Sequence, residues 1–182
     1  MTKISTTLLI LLILSVSSYA QLKRNSNLFT FDIGTTSLIG TTTNNTLTGF
    51  NANFVYDYVS TDNSFTGGFS IGYMHADDEA STPKLAYSTI PIVLQGKYFP
   101  VTNSTSFYLE GGIGLHFSRA ERIGNNILEI SDSGLMLLAG LGTYAPLDDN
   151  FFLKIAYNFS WLDSQSYQNG VMHSLKLGFA FN

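Results

Sequence analysis

The sequence predicts an all-β fold, an eight-stranded antiparallel up-and-down β-barrel that spans a membrane around a small polar lumen. Bulky apolar residues alternate with small or charged ones, as in Leu175, Leu177, Phe179 and Phe181, and such alternation is typical of strands with one buried face. The alternating segments are about ten residues long, the length that a tilted strand needs to cross a bilayer. Charged residues make up only 12% of the chain and aromatic residues 14%, which favours a wall in contact with lipid.

The first element is a secretory signal peptide, predicted over residues 1–20. Lys3 supplies a positive start, Leu8–Leu14 is an unbroken apolar run, and Ser18-Tyr19-Ala20 has small residues at the two positions that a signal peptidase reads. The apolar run is too short for a membrane-spanning helix, so a membrane anchor is the weaker interpretation. Cleavage after Ala20 would leave residues 21–182 as one barrel domain. Because the chain has no Cys, no disulfide is expected.

Eight alternating segments follow along the chain. They are Leu28–Ser37, Leu47–Val59, Phe65–His75, Tyr87–Phe99, Ser106–Ser118, Gly134–Ala145, Phe151–Leu162 and Val171–Phe181. Three connections are short and rich in turn residues, namely Ser60–Ser64, Pro100–Thr105 and Pro146–Asn150. Four are longer and polar, namely Leu38–Thr46, Ala76–Ala86, Arg119–Ser133 and Asp163–Gly170. Short turns beside both termini and long loops opposite predict periplasmic termini and extracellular loops in the outer membrane.

The bulky face of the strands is predicted to meet lipid. It carries more rings than the interior of an eight-stranded barrel holds, because that interior is only wide enough to be filled by side chains. These bulky residues include Phe29, Phe31, Phe50, Phe54, Tyr56, Tyr58, Phe65, Phe69, Tyr73, Ile90, Leu94, Tyr98, Phe107, Phe117, Phe151, Tyr157, Phe159 and Trp161. The opposite face is rich in Gly, Ser and Thr and carries the charged residues of the strands. This placement is expected, because a charged side chain that faces lipid at mid-depth costs about 2–4 kcal/mol. A soluble barrel with its apolar face inside is the alternative.

The inward charges are expected to form one polar network that plugs the lower lumen. They are Asp32, Asp57, Lys97, Glu110, Lys154 and Lys176. Five lie near the predicted periplasmic ends of their strands and Lys176 slightly deeper, and ion pairs and hydrogen bonds would offset the cost of burying these charges. The amides Asn51, Asn53, Gln95 and Asn158 would fill the lumen above them. A gated ion or proton path is the alternative, but open channels occur in wider barrels.

The ending Lys176-Leu177-Gly178-Phe179-Ala180-Phe181, together with the signal peptide and the eight segments, resembles the small outer-membrane barrels of the OmpA/OmpX-like kind. Members of that family carry a C-terminal strand that the outer-membrane assembly machinery reads. Its pattern is a polar residue, then Gly, then apolar positions ending in an aromatic residue. Lys176, Gly178 and Phe181 look like this assembly signal, with Asn182 following it. The resemblance implies an integral protein surrounded by outer-membrane lipid, and we expect a monomer.

One stretch carries the residue types of a catalytic site. His116 and Ser118 share the inward face near the outer rim, and Glu121 or Glu129 would orient the imidazole, an arrangement that serves acyl transfer. The stretch also resembles a His-aromatic-Ser-x-Ala segment of outer-membrane lipid A deacylases. In those enzymes the segment lies near the end of the barrel, whereas here it lies in the fifth strand. A rim histidine beside a hydroxyl is the preferred interpretation, and no enzymatic activity is expected.

The remaining chemistry is sparse. The net charge of −4 becomes −5 once Lys3 leaves with the signal peptide, which argues against a nucleic-acid partner. The run Asp77-Asp78-Glu79, with His75 and His173, lacks the spacing of a calcium loop, so no metal and no cofactor is predicted. The sequence therefore predicts an outer-membrane protein with a structural or surface-interaction role. The alternatives are a lipid A-modifying acyl hydrolase and a small-molecule conduit, for which mid-strand Pro91 is the only hint of a lateral opening.

Overall fold

The computed structural model describes residues 22–40, 46–62, 64–78, 84–100, 107–123, 128–163 and 170–182. Its strands are β1 (Asn27–Gly40), β2 (Thr46–Val59), β3 (Phe65–Asp78), β4 (Lys84–Tyr98), β5 (Phe107–Ile123), β6 (Leu128–Asp148), β7 (Phe151–Leu162) and β8 (Gly170–Phe181). Each strand pairs antiparallel with the next, and β8 pairs with β1, so the sheet closes into a barrel. The predicted fold class is confirmed. The predicted signal peptide lies outside the described residues, and no helix among them is long and apolar enough to cross a membrane.

Strands β5 and β6 are longer than predicted. The sequence predicts a loop over Arg119–Ser133, but β5 continues to Ile123 and β6 begins at Leu128, so this prediction is wrong. In this stretch polar side chains replace apolar ones at the outward positions while the antiparallel pairing continues. Alternating apolar residues mark a strand only as far as its outward side chains stay apolar. The outer ends of β5 and β6 carry polar outward side chains, so this pattern does not reveal them.

The bulky face of the barrel points outward, as predicted. Phe54 and Leu177 are exposed, and Leu94 in the middle of β4 is exposed at 68%, whereas Asp57 and Lys154 are buried. In an antiparallel barrel successive side chains point to opposite faces, so residues two apart along a strand share one side of the wall. The wall is therefore apolar outside around Phe54, Leu94 and Leu177, and Asp57 and Lys154 lie inside.

The lumen is filled in three layers. At the end near the chain termini lies an apolar cluster of Leu22, Leu28, Val59, Phe99, Tyr108, Tyr144, Phe152, Ala156 and Ala180. At the opposite end lies a second cluster of Leu38, Leu47, Met74, Ala76, Tyr87, Val93, Ala120, Met136, Leu138, Leu162 and Met172. Most of the charged and amide side chains lie between these clusters along their strands, whereas Lys154 lies between Phe152 and Ala156 of the cluster near the termini. The lumen thus contains large aromatic rings as well as the expected small residues. Glycines make room for these rings, as Gly142 does where it lies against the Tyr108 ring.

Two prolines mark the irregular points of the sheet. Around Pro91 the β3–β4 ladder is interrupted, but the pairs on either side keep one register, Ile71 with Ile92 and Met74 with Thr89. The predicted turn Pro146–Asn150 is shorter than expected, because β6 runs through Asp148 with a shift in its pairing to β7 after Pro146. Both deviations follow from proline's missing backbone N–H.

Candidate functional site

Two buried ion pairs cross the lumen. Lys97 on β4 donates from Nζ to Oδ2 of Asp57 on β2, and Lys154 on β7 donates from Nζ to Oδ2 of Asp32 on β1 at 2.7 Å. All four side chains are shielded from solvent. Neither pair joins adjacent strands, because β3 separates β2 from β4 and β8 separates β7 from β1. Each pair therefore connects strands that share no backbone hydrogen bonds.

The other two inward charges lie beside these pairs. Glu110 on β5 accepts a hydrogen bond at Oε1 from Nδ2 of Asn158 on β7, and it stands opposite Lys97 in the β4–β5 register. Lys176 on β8 is half-buried and interacts electrostatically with Asp32. The six residues of the predicted network thus surround one section of the lumen, with three charges of each sign. Equal numbers keep this section neutral, which lowers the cost of burial.

Amide side chains extend the polar layer away from the ion pairs. Asn53 donates from Nδ2 to Oδ1 of Asp32 at 2.8 Å and to Oδ1 of Asn51 at 3.1 Å. Gln95 donates from Nε2 to Oδ1 of Asp57 at 3.5 Å. Each carboxylate of an ion pair therefore has both an ammonium and an amide partner, and these contacts satisfy both of its oxygens.

A small internal cavity of about 30 Å³ lies next to this layer. Asn158 and Ser160 line it, and within the described part of the chain the oxygens Oδ1 of Asn158 and Oγ of Ser160 have no hydrogen-bond partner. A volume of this size accommodates about one water molecule, and buried waters typically bind such oxygens.

The candidate catalytic pair, His116 and Ser118, makes contact inside the outer half of the lumen. Nδ1 of His116 lies 2.7 Å from Oγ of Ser118, and Nε2 lies 2.9 Å from the carbonyl oxygen of Asp163. Because a carbonyl oxygen only accepts, Nε2 of His116 donates to the Asp163 carbonyl, and the Ser118 hydroxyl donates to Oγ1 of Thr89. Ser118 Oγ also lies 2.6 Å from the Tyr87 hydroxyl and 2.9 Å from Oγ1 of Thr89. Both members of the pair are buried.

The acidic residue expected behind this pair lies elsewhere. Glu121 accepts at Oε1 from Nε of Arg119 at 2.7 Å, and Glu129 accepts at Oε2 from Nη2 of Arg119 at 2.9 Å. Arg119 is exposed on the outside of the barrel, and residues two apart on a strand share a face, so Glu121 lies outside while the buried His116 lies inside. The prediction that Glu121 or Glu129 orients His116 is wrong, because the Asp163 carbonyl occupies that position.

The residues of the predicted assembly signal lie on both faces of β8. Gly178 faces the lumen, where a Cβ would come within 2.6 Å of the Asp32 Cβ, so a larger residue does not fit against β1. Phe181 points outward between the ring of Phe29, at a centroid distance of 5.6 Å, and the ring of Phe151, at 6.1 Å. Lys176 points into the lumen. The role of these residues in assembly stays a prediction.

The two outward histidines are far apart in the sheet. His75 on β3 contacts Oγ of Ser88 through Nδ1 at 2.9 Å, and His173 on β8 contacts the Tyr157 hydroxyl through Nδ1 at 2.6 Å. Strands β1 and β2 lie between them. The described ranges contain no group of three or more metal-binding side chains, and Glu79 of the acidic run lies outside those ranges.

Known proteins share this architecture. A family model described as the outer membrane protein beta-barrel domain matches residues 6–182. The structure is similar to Ail, the attachment invasion locus protein of Yersinia pestis, with 16% identity and a TM-score of 0.59, covering 87% of this chain and 100% of Ail. It is also similar to OprG from Pseudomonas aeruginosa, with 11% identity and a TM-score of 0.58, covering 88% of this chain and 98% of OprG. The N-terminal β-barrel domain of Pseudomonas aeruginosa OprF shares 18% identity with a TM-score of 0.52, covering 87% of this chain and 98% of that domain. No curated protein matches the sequence.

Proposed function

The chain belongs to the family of outer membrane protein β-barrel domains, and we propose that it acts there as a closed, monomeric barrel with a structural or surface-interaction role. Its termini are periplasmic and its longer hairpins extracellular in this proposal. The observation that carries it is the filled lumen. Among the described residues two apolar layers enclose the ion pairs, and the cavity of about 30 Å³ beside Asn158 and Ser160 is the size of one water. Such an interior supports a non-conducting barrel.

Planar-bilayer recordings test the closed lumen. The folded protein, verified by heat-modifiable migration on a gel, is added to one side of the membrane. We expect no single-channel steps from the wild-type protein or from the Lys97→Met variant. Reproducible wild-type steps that vanish in Lys97→Met would overturn the proposal, because they would place an ion path through the Asp57–Lys97 pair.

The geometry of the outer lumen supports a non-enzymatic role. Oγ of Ser118 lies within hydrogen-bond distance of three side chains, those of His116, Tyr87 and Thr89. A nucleophile must instead present its oxygen to a substrate carbonyl, with a base behind it and room in front. Here the hydroxyls of Tyr87 and Thr89 occupy the space in front of the Ser118 oxygen. The carboxylates that would complete a triad, those of Glu121 and Glu129, lie outside the barrel.

The continuous wall also supports a barrel without a lateral opening. A small-molecule conduit needs a gap between two strands, and in the sequence only Pro91 hinted at such a gap. Pro91 is nevertheless paired with His116 on the β5 side, and the β3–β4 register is the same above and below it. The lost ladder hydrogen bond therefore leaves the two strands side by side.

The β5–β6 hairpin favours the surface-contact part of the proposal. Within the described residues, β6 pairs with β7 only as far as Met136, while its earlier part pairs with β5 alone. The carbonyl of Leu135 points toward β7 and accepts from the Asp163 N–H at 2.9 Å, so the backbone groups of Ser133 and Ser131 point the same way. A partner segment in extended conformation can add a strand to such an edge.

Backbone NMR tests the use of this edge. A synthetic peptide of alternating threonine and valine serves as the probe for an extended segment. We expect its addition to shift the amide resonances of Ser131 and Ser133, and we expect Ser131→Pro, which removes an edge N–H, to abolish the shifts. Ser174→Ala, a buried change inside the barrel, is the control. Shifts confined to the barrel wall would contradict edge binding.

A further inference from the structure

The segment before β1, residues 22–26, folds back over the end of the lumen near the chain termini. Leu22 is buried in the apolar cluster at that end, whereas Lys23 and Arg24, which follow it, are exposed. The other members of this cluster lie on strands or directly after one, but Leu22 lies outside the sheet, because β1 begins at Asn27. Residues 22–26 are called the N-terminal strap below.

Asn25 allows the strap to turn back. Its φ of 50° lies in the left-handed region, which Asn adopts more readily than most residues that have a side chain. Oδ1 of Asn25 accepts hydrogen bonds from the Thr61 hydroxyl at 3.2 Å and from the Tyr58 hydroxyl at 3.4 Å. The turn is therefore fixed to the end of β2, and it directs the chain across the lumen instead of extending β1.

Ser26 holds the base of the strap. Its carbonyl oxygen accepts from the Val59 N–H at 2.9 Å, and its hydroxyl donates to the Lys23 carbonyl oxygen, which closes the turn. Oγ of Ser26 also lies 3.3 Å from Oδ1 of Asn182, the residue that follows β8. Within the described residues no hydrogen bond joins the backbone of Leu22 to the sheet. Leu22 is therefore held by apolar packing, and it can leave the lumen without breaking the ladder of any strand.

The apolar cluster that contains Leu22 borders both ion pairs. Nζ of Lys97 lies 5.9 Å from the centroid of the Tyr108 ring, and Lys154 is two residues from Phe152 on the inward face of β7. Both lysines are shielded from solvent. Because opposite charges attract more strongly where water is excluded, the seal at this end controls the environment of both pairs.

We propose that the N-terminal strap is a lid on the lumen, with Leu22 as its removable plug and the turn at Asn25 as its hinge. With Leu22 seated, the ion pairs are isolated from the solution at this end. With Leu22 released, water and small solutes enter the end of the lumen, while the strands keep their register. The lid rests on the proposed closed lumen and adds the element that closes one end of it, whichever side of the membrane that end faces.

Cysteine labelling of the folded protein tests the lid, because the chain has no Cys of its own. Ala180→Cys places a thiol in the cluster that contains Leu22, and Ala76→Cys places one in the cluster at the opposite end, where each alanine is fully buried. A small cationic methanethiosulfonate is the reagent, and mass spectrometry follows the labelled fraction. We expect both thiols to react slowly when the strap is unchanged. Leu22→Ser should speed labelling at Ala180→Cys by roughly tenfold or more, because labelling through a local opening scales with the opening equilibrium, and opening then no longer costs the burial of a Leu side chain.

Matched variants separate the lid from a general loosening of the barrel. Leu22→Met keeps an apolar plug and should leave labelling slow. Asn25→Pro, whose ring excludes a positive φ, should speed labelling at Ala180→Cys, and Asn25→Gly, which keeps the left-handed conformation, should speed it less. Heat-modifiable migration on a gel verifies that each variant is folded.

Labelling at Ala76→Cys should stay slow in every strap variant. Unchanged labelling at Ala180→Cys in the Leu22→Ser protein would overturn the lid. An equal rise at Ala76→Cys would also overturn it, because the whole barrel would then have loosened. Failure of the closed lumen itself is seen separately, as planar-bilayer steps from the wild-type protein, so the two results are distinguishable.

Discussion

Lys154 and Asp32 lie 122 residues apart in sequence, yet their side chains meet in the lumen with Nζ and Oδ2 separated by 2.7 Å. The pair connects β7 to β1 across β8, the strand whose pairing with β1 closes the barrel. The closing strand is therefore held by backbone hydrogen bonds on both edges and by an ion pair behind it. Gly178 of β8 makes this possible, because a Cβ at that position would collide with Asp32.

Removing one partner of this pair should destabilise the barrel strongly. Lys154→Met leaves the Asp32 carboxylate buried without its ammonium partner, and breaking a buried pair in this way costs about 3–5 kcal/mol. The double variant Asp32→Asn/Lys154→Met has no charge left to bury, so its loss should be smaller. Equilibrium urea unfolding in phospholipid vesicles measures both. A double variant as unstable as the single one would contradict this account.

Gly134 is required for the contact between the end of β7 and the His116 ring. A Cβ at Gly134 would lie 1.7 Å from the Asp163 carbonyl oxygen and 2.8 Å from Nε2 of His116. Gly134→Ala should therefore displace Asp163 and destabilise the fold by about 1–3 kcal/mol, as overpacking does. Gly111→Ala is the control, since its nearest neighbour would be the Leu138 carbonyl oxygen at 3.9 Å. Equal unfolding midpoints for the two variants would refute the assignment.

Asp62 should make the turn between β2 and β3 sensitive to acid. Hydrogen bonds from the hydroxyls of Ser60 and Ser64 and from the Ser64 backbone N–H lower the pKa of the Asp62 carboxyl to about 2. Because the folded pKa lies below the unfolded one, these bonds stabilise the turn above the ordinary carboxyl pKa and are lost as the pH falls toward about 2. Carboxyl NMR titration should show the low value, and Ser60→Ala should raise it. A normal Asp62 pKa in the wild-type protein would be the contrary result.

Much of the fold could be predicted from alternation alone, because strand period and face are local properties of the chain. The inward set of Asp32, Asp57 and Lys97 follows from the same two-residue period. Tyr108 and Tyr144 also share the inward period, but alternation alone does not show that their rings fit inside a narrow lumen, whereas the packing does: both are fully buried, and Gly142 leaves room for Tyr108.

The partners within the site could not be predicted in the same way. Whether Lys154 meets Asp32 depends on how far each strand is shifted against the next around the closed barrel, and no local pattern encodes that stagger. The contact of His116 with the Asp163 carbonyl involves a backbone atom from a distant strand end. A sequence pattern shows which side chains are near His116 along the chain but not which backbone atoms approach it in the fold, so it points to the carboxylates of Glu121 and Glu129.

The outward face of the barrel should tolerate charge only near the ends of its strands. Leu94 is exposed at 68% in the middle of the apolar wall, so Leu94→Arg places a charge in lipid and should cost about 2–4 kcal/mol. Leu147 is also exposed but lies beside the β6–β7 turn, where the same change should cost about 0–1 kcal/mol. Unfolding from vesicles, followed by the fluorescence of Trp161, measures both, as the chain has one Trp. Equal costs would mean that Leu94 does not face lipid.

Ser118 should matter for stability and not for lipid chemistry. Ser118→Ala removes the hydroxyl that links His116, Tyr87 and Thr89, and leaving buried partners unsatisfied costs about 1–3 kcal/mol. Ser133→Ala, on the exposed wall, should change stability by less than about 0.5 kcal/mol. Mass spectra of lipid A from cells that express the wild type, Ser118→Ala or no protein should be identical. A deacylated lipid A species that appears with the wild-type protein and disappears with Ser118→Ala would instead establish the hydroxyl as a nucleophile, and the outer lumen would then have to open to admit an acyl chain.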